Sequence, residues 1–341
     1  MRYPIPKKIF KRLRHQGTPL QNTIIEYRMN KTVKDRTTYP SYIALSESGE
    51  LEERIHRAYA LLESCTVCPR KCGINRLNDE RGFCRTGLLP VIASFGPHFG
   101  EEPPLVGTKG SGTIFVTHCN LSCEYCQNYD ISQCGKGETV SCETLAMMMM
   151  SLQERNCHNI NLVTPTHIVP QVIRSIGIAA DQGLHIPIVY NCGGYEAVET
   201  LRLLEGIIDI YMPDAKYGND ALAMALSHAP DYVPTMHAAL KEMHRQVGNL
   251  VVTDGVAVRG MIIRHLVLPE NLAGSDRVLP WIAENISRDA YVNIMDQYHT
   301  SWHASSRKLS SPYRSLGRRI TPEEYCSAIT CASKNGLHRG F

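Results

Sequence analysis

Cysteines 119, 123 and 126 lie in the segment Cys119-Asn-Leu-Ser-Cys123-Glu-Tyr-Cys126, a C-x3-C-x2-C spacing directly after the apolar run Thr113-Ile114-Phe115-Val116. Three thiolates held this close on one loop can each bind one iron of a cubane cluster. A [4Fe–4S] cluster is commonly held by four cysteines, so three leave one iron open to a ligand that the chain does not supply. An open position is what a catalytic metal site needs. Two other outcomes compete with this one: a Cys3His zinc knuckle completed by His118, and thiols that are close in sequence but hold nothing. The zinc knuckle is disfavoured because successive side chains at a strand end face opposite ways.

A second set lies upstream. Cys65, Cys68, Cys72 and Cys84 form C-x2-C-x3-C-x11-C, with Arg70, Lys71, Arg76, Arg81 and Arg85 interleaved and Gly73 and Gly82 available for tight turns. Four thiolates can close a structural zinc site or hold an auxiliary iron–sulfur cluster, and the spacing leaves open which. Cys134, Cys142, Cys157, Cys326 and Cys331 have no ligand spacing and are expected as buried thiols.

The elements that must position these thiols follow from periodicity. Strands are expected at 113–117, 159–164, 187–191, 207–212, 261–268 and 291–295. Helices are expected over 141–155, 169–181, 195–204, 277–286 and 321–334, with a further helical stretch broken near Pro230 and Pro234. Ser141 caps the first of these helices, and Thr321 with Pro322 opens the last. Met147, Met148, Met149 and Met150 read as helix core. Strand-then-helix repetition implies an α/β fold with a parallel sheet. Six units suit a partial (β/α)6 barrel better than a closed eightfold one, with an open doubly wound sheet as the alternative.

In either architecture functional residues belong after the C-terminal ends of strands. Those ends carry the cysteine triad, Thr164-Pro-Thr166-His167, Asn191-Cys192-Gly193-Gly194, Asp214-Ala-Lys216 and Gln297-Tyr298-His299. Arg264 and His265 lie within the fifth expected strand. Loops are polar and glycine-rich for ordinary reasons, but Asp214 and Lys216 abut an apolar run and share one face of an extended segment.

At 341 residues, 43% apolar and 20% charged, the chain has an ordinary globular composition. A net charge of +3 supports neither a nucleic-acid nor a membrane partner, and no apolar run reaches transmembrane length. The 13 cysteines suit a reducing cytoplasm better than a disulfide scaffold, because the chain is large and carries no secretory leader. Residues 1–50 read as a basic N-terminal arm, with an organellar transit peptide as the alternative; 51–110 as a cysteine-rich metal-binding extension; and 111–341 as the barrel.

Several stretches together carry a resemblance. They are Cys65-Thr-Val-Cys68-Pro-Arg-Lys-Cys72, Gly96-Pro-His-Phe-Gly-Glu-Glu-Pro-Pro104, Gly110-Ser-Gly-Thr-Ile-Phe115, the triad through Asn128, Asn161-Leu-Val-Thr-Pro-Thr-His167, Pro213-Asp-Ala-Lys216 and Asn293-Ile-Met-Asp-Gln-Tyr298. From about residue 64 to residue 336 the chain resembles the radical S-adenosylmethionine (SAM) iron–sulfur proteins related to pyruvate formate-lyase activating enzymes. The resemblance implies that Cys119, Cys123 and Cys126 ligate a [4Fe–4S] cluster whose open iron chelates SAM. Reductive cleavage of SAM would then give methionine and a 5′-deoxyadenosyl radical for hydrogen abstraction. It also implies SAM contacts from Tyr125 near the adenine and from Asn191, Asp214, Lys216 and His299. Asn191, Cys192 and Met212 match a region that can hold a monovalent cation in those enzymes. Thr164 and Thr166 stand where they carry Gly-Gly-Glu, so contact with the SAM amino group is expected from hydroxyl or backbone oxygens. An external electron donor of flavodoxin or ferredoxin type is implied, and a protein substrate with a target glycine is one outcome. The alternative from another class is a non-catalytic metal-binding or electron-transfer protein. His98 to Pro104 is expected either to form a lid or to pack as an ordinary loop.

Overall fold

The structure is a computed structural model that describes residues 40–305 and 313–341. Most of the basic arm, residues 1–39, lies outside the described residues. The chain begins with paired helices α1 (Tyr42–Ser48) and α2 (Glu50–Ala60), joined through Gly49 in the left-handed conformation. Tyr42 is fully buried and its hydroxyl donates to the Ile186 carbonyl, so residues 42–60 are docked on the main body. The boundary drawn at residue 50 falls at the turn between these helices.

The remaining elements run β1 (Val91–His98), α3 (Pro103–Val106), β2 (Ser111–Val116), α4 (Tyr129–Ser132), β3 (Glu138–Thr139), α5 (Cys142–Glu154), β4 (Ile160–Val163), α6 (Val169–Asp181), β5 (Ile188–Cys192), α7 (Val198–Leu203), β6 (Ile210–Pro213), α8 (Asp220–Ser227), α9 (Tyr232–Val247), β7 (Val251–Thr253), β8 (Val256–Leu266), α10 (Ser275–Asn285), β9 (Tyr291–Met295) and α11 (Pro322–Lys334). Strands β2, β4, β5, β6, β8 and β9 pair in parallel in that order, which is chain order. The fold is thus α/β with six parallel strands. Strands β1, β3 and β7 were not expected from periodicity; they join antiparallel. Because β1 pairs with β2, the line drawn at residue 110 separates two strands of one sheet.

Strand alternation sorts the side chains onto two faces. Ile114, Ile160, Leu162, Ile188, Tyr190, Tyr211, Ile263, Val292 and Ile294 face the helices and form the large core. Val189, Ile210, Met212 and Ile262 face the other way, where Leu105 of α3 with Leu250 and Ala257 covers them in a separate small cluster. Each such aliphatic side chain contributes about 1.5–3 kcal/mol by leaving water. The same face then turns polar. Asn161 shares its row with Val189, and Arg264 shares one with Asn293 and, through an isolated bridge, with Asp214. An apolar floor therefore lies beneath a polar set near the C-terminal strand ends.

Candidate functional site

The cysteine loop leaves β2 through His118, which adopts φ +72. Backbone bonds seat the loop on the C-terminal end of α8: Ser122 N–H donates to Ser227 O at 3.1 Å and Glu124 N–H to Leu226 O at 2.9 Å. The Asn120 side chain donates to the Tyr195 carbonyl at 2.7 Å, and Arg70 Nε donates to the Asn120 carbonyl at 2.9 Å. The thiols of Cys119, Cys123 and Cys126 are neighbours. Burial, reinforced by the proximity of Cys123, pushes the Cys119 thiol up. Burial also pushes Cys123 up to about 11, although the Lys216 ammonium opposes that shift.

Beside the thiols lies a charge network. Asp214 accepts from Lys216 Nζ at 2.6 Å on one oxygen and from Arg264 Nε at 2.8 Å on the other. Arg264 Nη2 also donates to Asn191 Oδ1 at 2.6 Å, and its Nη1 lies 3.8 Å from Glu102. Burial disfavours the Asp214 charge, but Arg264 and then Lys216 more than offset it and hold the carboxyl below its usual range. Burial likewise works against the Lys216 and Arg264 charges, and Asp214 outweighs it, so both stay protonated. Glu101 is pushed up to about 7, chiefly by burial and against the pull of Arg264. The segment from His98 to Pro104 thus turns its acidic pair toward the polar face, where Asn293 donates to Glu102 at 3.2 Å.

The loop after β5 makes this approach possible. A Cβ at Gly194, already at φ +74, would stand 2.2 Å from the Asp214 carbonyl oxygen, and one at Gly193 would stand 2.7 Å from Leu121 of the cysteine loop. Tyr232 ties the same loops together, its hydroxyl lying 2.9 Å from Gly193 O, 3.0 Å from Asp214 O and 3.0 Å from Lys216 N. Thr164, at the end of β4, holds φ +61, a conformation that is strained for a β-branched residue.

The remaining expected residues fall as follows. Tyr125 is buried, with its hydroxyl 2.7 Å from Tyr217 and its ring edge-on to Tyr298. The Thr166 hydroxyl is committed to Glu196 at 2.7 Å. His299 is exposed, and its ring nitrogen lies 3.5 Å from the Gln297 carbonyl oxygen two residues before it. Cys134 and Cys326 are exposed rather than buried, because neither falls on an inward face, and Cys331 is half-buried. Cys65, Cys68 and Cys84 are mutual neighbours, whereas Cys72 packs against Gly82.

Among the described residues, no three His, Cys, Asp or Glu side chains converge so as to hold one metal ion. A cubane asks for something other than convergence on one ion, since thiolates on its separate corners stand farther apart than thiolates sharing one ion. Each sulfur of the motif triad also meets a polar partner: Leu121 N–H at Cys119, the Ser227 hydroxyl at Cys123 and the Ser132 hydroxyl at Cys126. This donor set fits a [4Fe–4S] cluster.

Glu196 escaped sequence reading. It is buried after β5, accepts from Thr166 and from Tyr190 at 2.9 Å, and is pushed up to about 7 by burial against those hydroxyls. It brings an acid to the Thr-Pro-Thr segment from 30 residues away. Glu101, Glu102, Ser227 and Tyr217 were also missed as site groups. The available signal was Arg264 with His265, polar residues inside an apolar run.

The fold and site define an α/β protein with a three-cysteine loop at the C-terminal ends of a parallel sheet. No protein-family model matches the sequence. Uncharacterized protein MJ0674 of Methanocaldococcus jannaschii is 31% identical over 296 residues, covering 84% of this chain and 79% of that protein, and the chain belongs to its family. Among solved structures, that of TYW1 with a lysine-pyruvate adduct bound has a TM-score of 0.43 and 9% identity, over 67% of this chain and 74% of that one.

Proposed function

We propose that this protein is a radical SAM enzyme with a partial-barrel site, in which Cys119, Cys123 and Cys126 hold a [4Fe–4S] cluster. The observation that carries this is the meeting of the three-cysteine loop with the Asp214–Lys216–Arg264 network at one end of six parallel strands. When bound, the reduced cluster supplies the electron that splits the SAM sulfonium. The chain's own part is to bind, orient and exclude water. Lys216, kept protonated and beside the triad, suits the carboxylate of SAM. Asp214 keeps Lys216 and Arg264 in place, and the Thr164–Thr166 segment is proposed to meet the SAM amino group. An electron carrier has no use for these charges, which speaks against the non-catalytic alternative.

An external flavodoxin- or ferredoxin-type donor would reduce the cluster, and an oxygen-sensitive open iron suits a reducing cytoplasm. No helix among the described residues is long and apolar enough to cross a membrane. The hydrogen donor is proposed to be a carbon brought up to the cysteine loop; a backbone glycine of a partner protein is the activating-enzyme outcome. The upstream cysteines are proposed to bind a second metal after local rearrangement of Cys72 toward Cys65, Cys68 and Cys84.

Anaerobic reconstitution followed by metal analysis and electron paramagnetic resonance tests the cluster. About four irons per chain with one zinc supports one cluster plus a structural site, and about eight supports two clusters. A reduced-cluster signal altered by adding SAM is the expected result. Absence of any iron–sulfur signal contradicts the proposal.

A further inference from the structure

The three motif thiols differ in where their polar partners come from. Leu121, which donates to Cys119 Sγ at 3.3 Å, and Ser132, 3.1 Å from Cys126 Sγ, are only two and six residues away in the chain. Cys123 instead takes a donor from another element, 104 residues on: Ser227, the last residue of α8, with Oγ at 3.0 Å. Ser227 is fully buried. Its oxygen lies 2.6 Å from the Tyr217 hydroxyl, which in turn lies 2.7 Å from the Tyr125 hydroxyl.

A ligating thiolate can only accept. With the Ser227 proton directed at Cys123, the Ser227 oxygen accepts from Tyr217, and the Tyr217 oxygen accepts from Tyr125. The string is polarised toward the sulfur, and each bond strengthens the next in a low-dielectric interior. Both tyrosines are buried, Tyr217 fully and Tyr125 at 5% exposure, so water does not compete for these hydroxyls. The Ser227 backbone carbonyl also accepts from Ser122 N–H, which fixes the hydroxyl relative to the loop it serves.

We propose, resting on the cluster assignment above, that Ser227 is a positioning residue whose hydroxyl, backed by Tyr217 and Tyr125, donates to the Cys123 thiolate and raises the cluster's reduction potential. One-electron reduction adds negative charge to the cluster and its thiolates. A hydrogen bond donated to a ligating sulfur stabilises that added charge and makes the potential less negative. The electron comes from an external reductant, and no proton leaves the string.

The test is an anaerobic redox titration of reconstituted wild type, Ser227→Ala and Tyr217→Phe, with dithionite as reductant, the reduced-cluster paramagnetic signal as readout and iron per chain measured alongside. The midpoint should become more negative in Ser227→Ala. In Tyr217→Phe it should move the same way by less, with iron content unchanged in both. A midpoint that is unmoved or less negative in iron-replete variants overturns the inference, because a Ser227 that merely packs the helix end would leave the potential alone. If Ser227→Ala loses iron, Tyr217→Phe decides by the same criterion. A wild type that assembles no cluster overturns the functional proposal and this inference with it, whereas a wild-type cluster with unmoved variants overturns the inference alone.

Discussion

Asp214 holds two cations at once, so its replacement has a definite consequence. Asp214→Asn leaves Lys216 and Arg264 buried side by side without the carboxylate that pairs with both. Loss of a buried ionic partner should cost about 3 kcal/mol in denaturant unfolding. Because the folded carboxyl lies below its ordinary value, wild type keeps this stabilisation above the unfolded pKa and loses it as pH falls through the folded one. The variant should lack that acid-side loss. Glu196 has the opposite sign. Its folded pKa is raised from 4.5 to about 7, so stability declines as pH rises through that interval. Glu196→Gln should flatten the decline in urea titrations at a series of pH values; an unchanged slope would show that Glu196 is not the group responsible. Asp214 and Lys216 were legible because charge at the end of an apolar run is unusual. Glu196 and Ser227 were not, because a contact across 30 or 104 residues leaves no mark in local spacing.

Elements were legible in proportion to their periodicity. The helix expected at 169–181 and the strand expected at 291–295 are found with those bounds, since each has apolar residues recurring at the period of its element. Ser141 and Thr321 cap as expected, Thr321 with a full capping box to Glu324. Strand β1 was hidden by Gly96 and Pro97, residues that argue against a strand unless it lies near an edge. At this scale Gly194 is the critical position. Gly194→Ala forces a Cβ against the Asp214 carbonyl and a left-handed backbone onto alanine, and should destabilise by more than about 1 kcal/mol. The Asp214 loop should shift with it, so SAM binding should weaken more than in Gly183→Ala, whose Cβ would meet nothing within 4 Å although its φ is also positive. Equal SAM affinity in the two variants would show that the close approach does not position the site.

Across the whole molecule, the cysteine-rich segment and the sheet are joined by fully buried Arg76, which donates to Gly87 O at 2.9 Å and to His167 O at 2.7 Å. The upstream cysteines are thereby held beside the strand ends that carry the triad, and Arg70 lies close to members of both sets. Six parallel strands in chain order were legible from strand–helix repetition, while the antiparallel additions and the docking of residues 42–60 depend on long-range packing. The central claim concerns the triad's chemistry. Anaerobically reconstituted wild type and Cys123→Ala, incubated with dithionite and SAM, should differ sharply: wild type releases 5′-deoxyadenosine and methionine, and Cys123→Ala releases neither above the protein-free background. No 5′-deoxyadenosine from iron-replete wild type, or equal release from both proteins, would contradict the account.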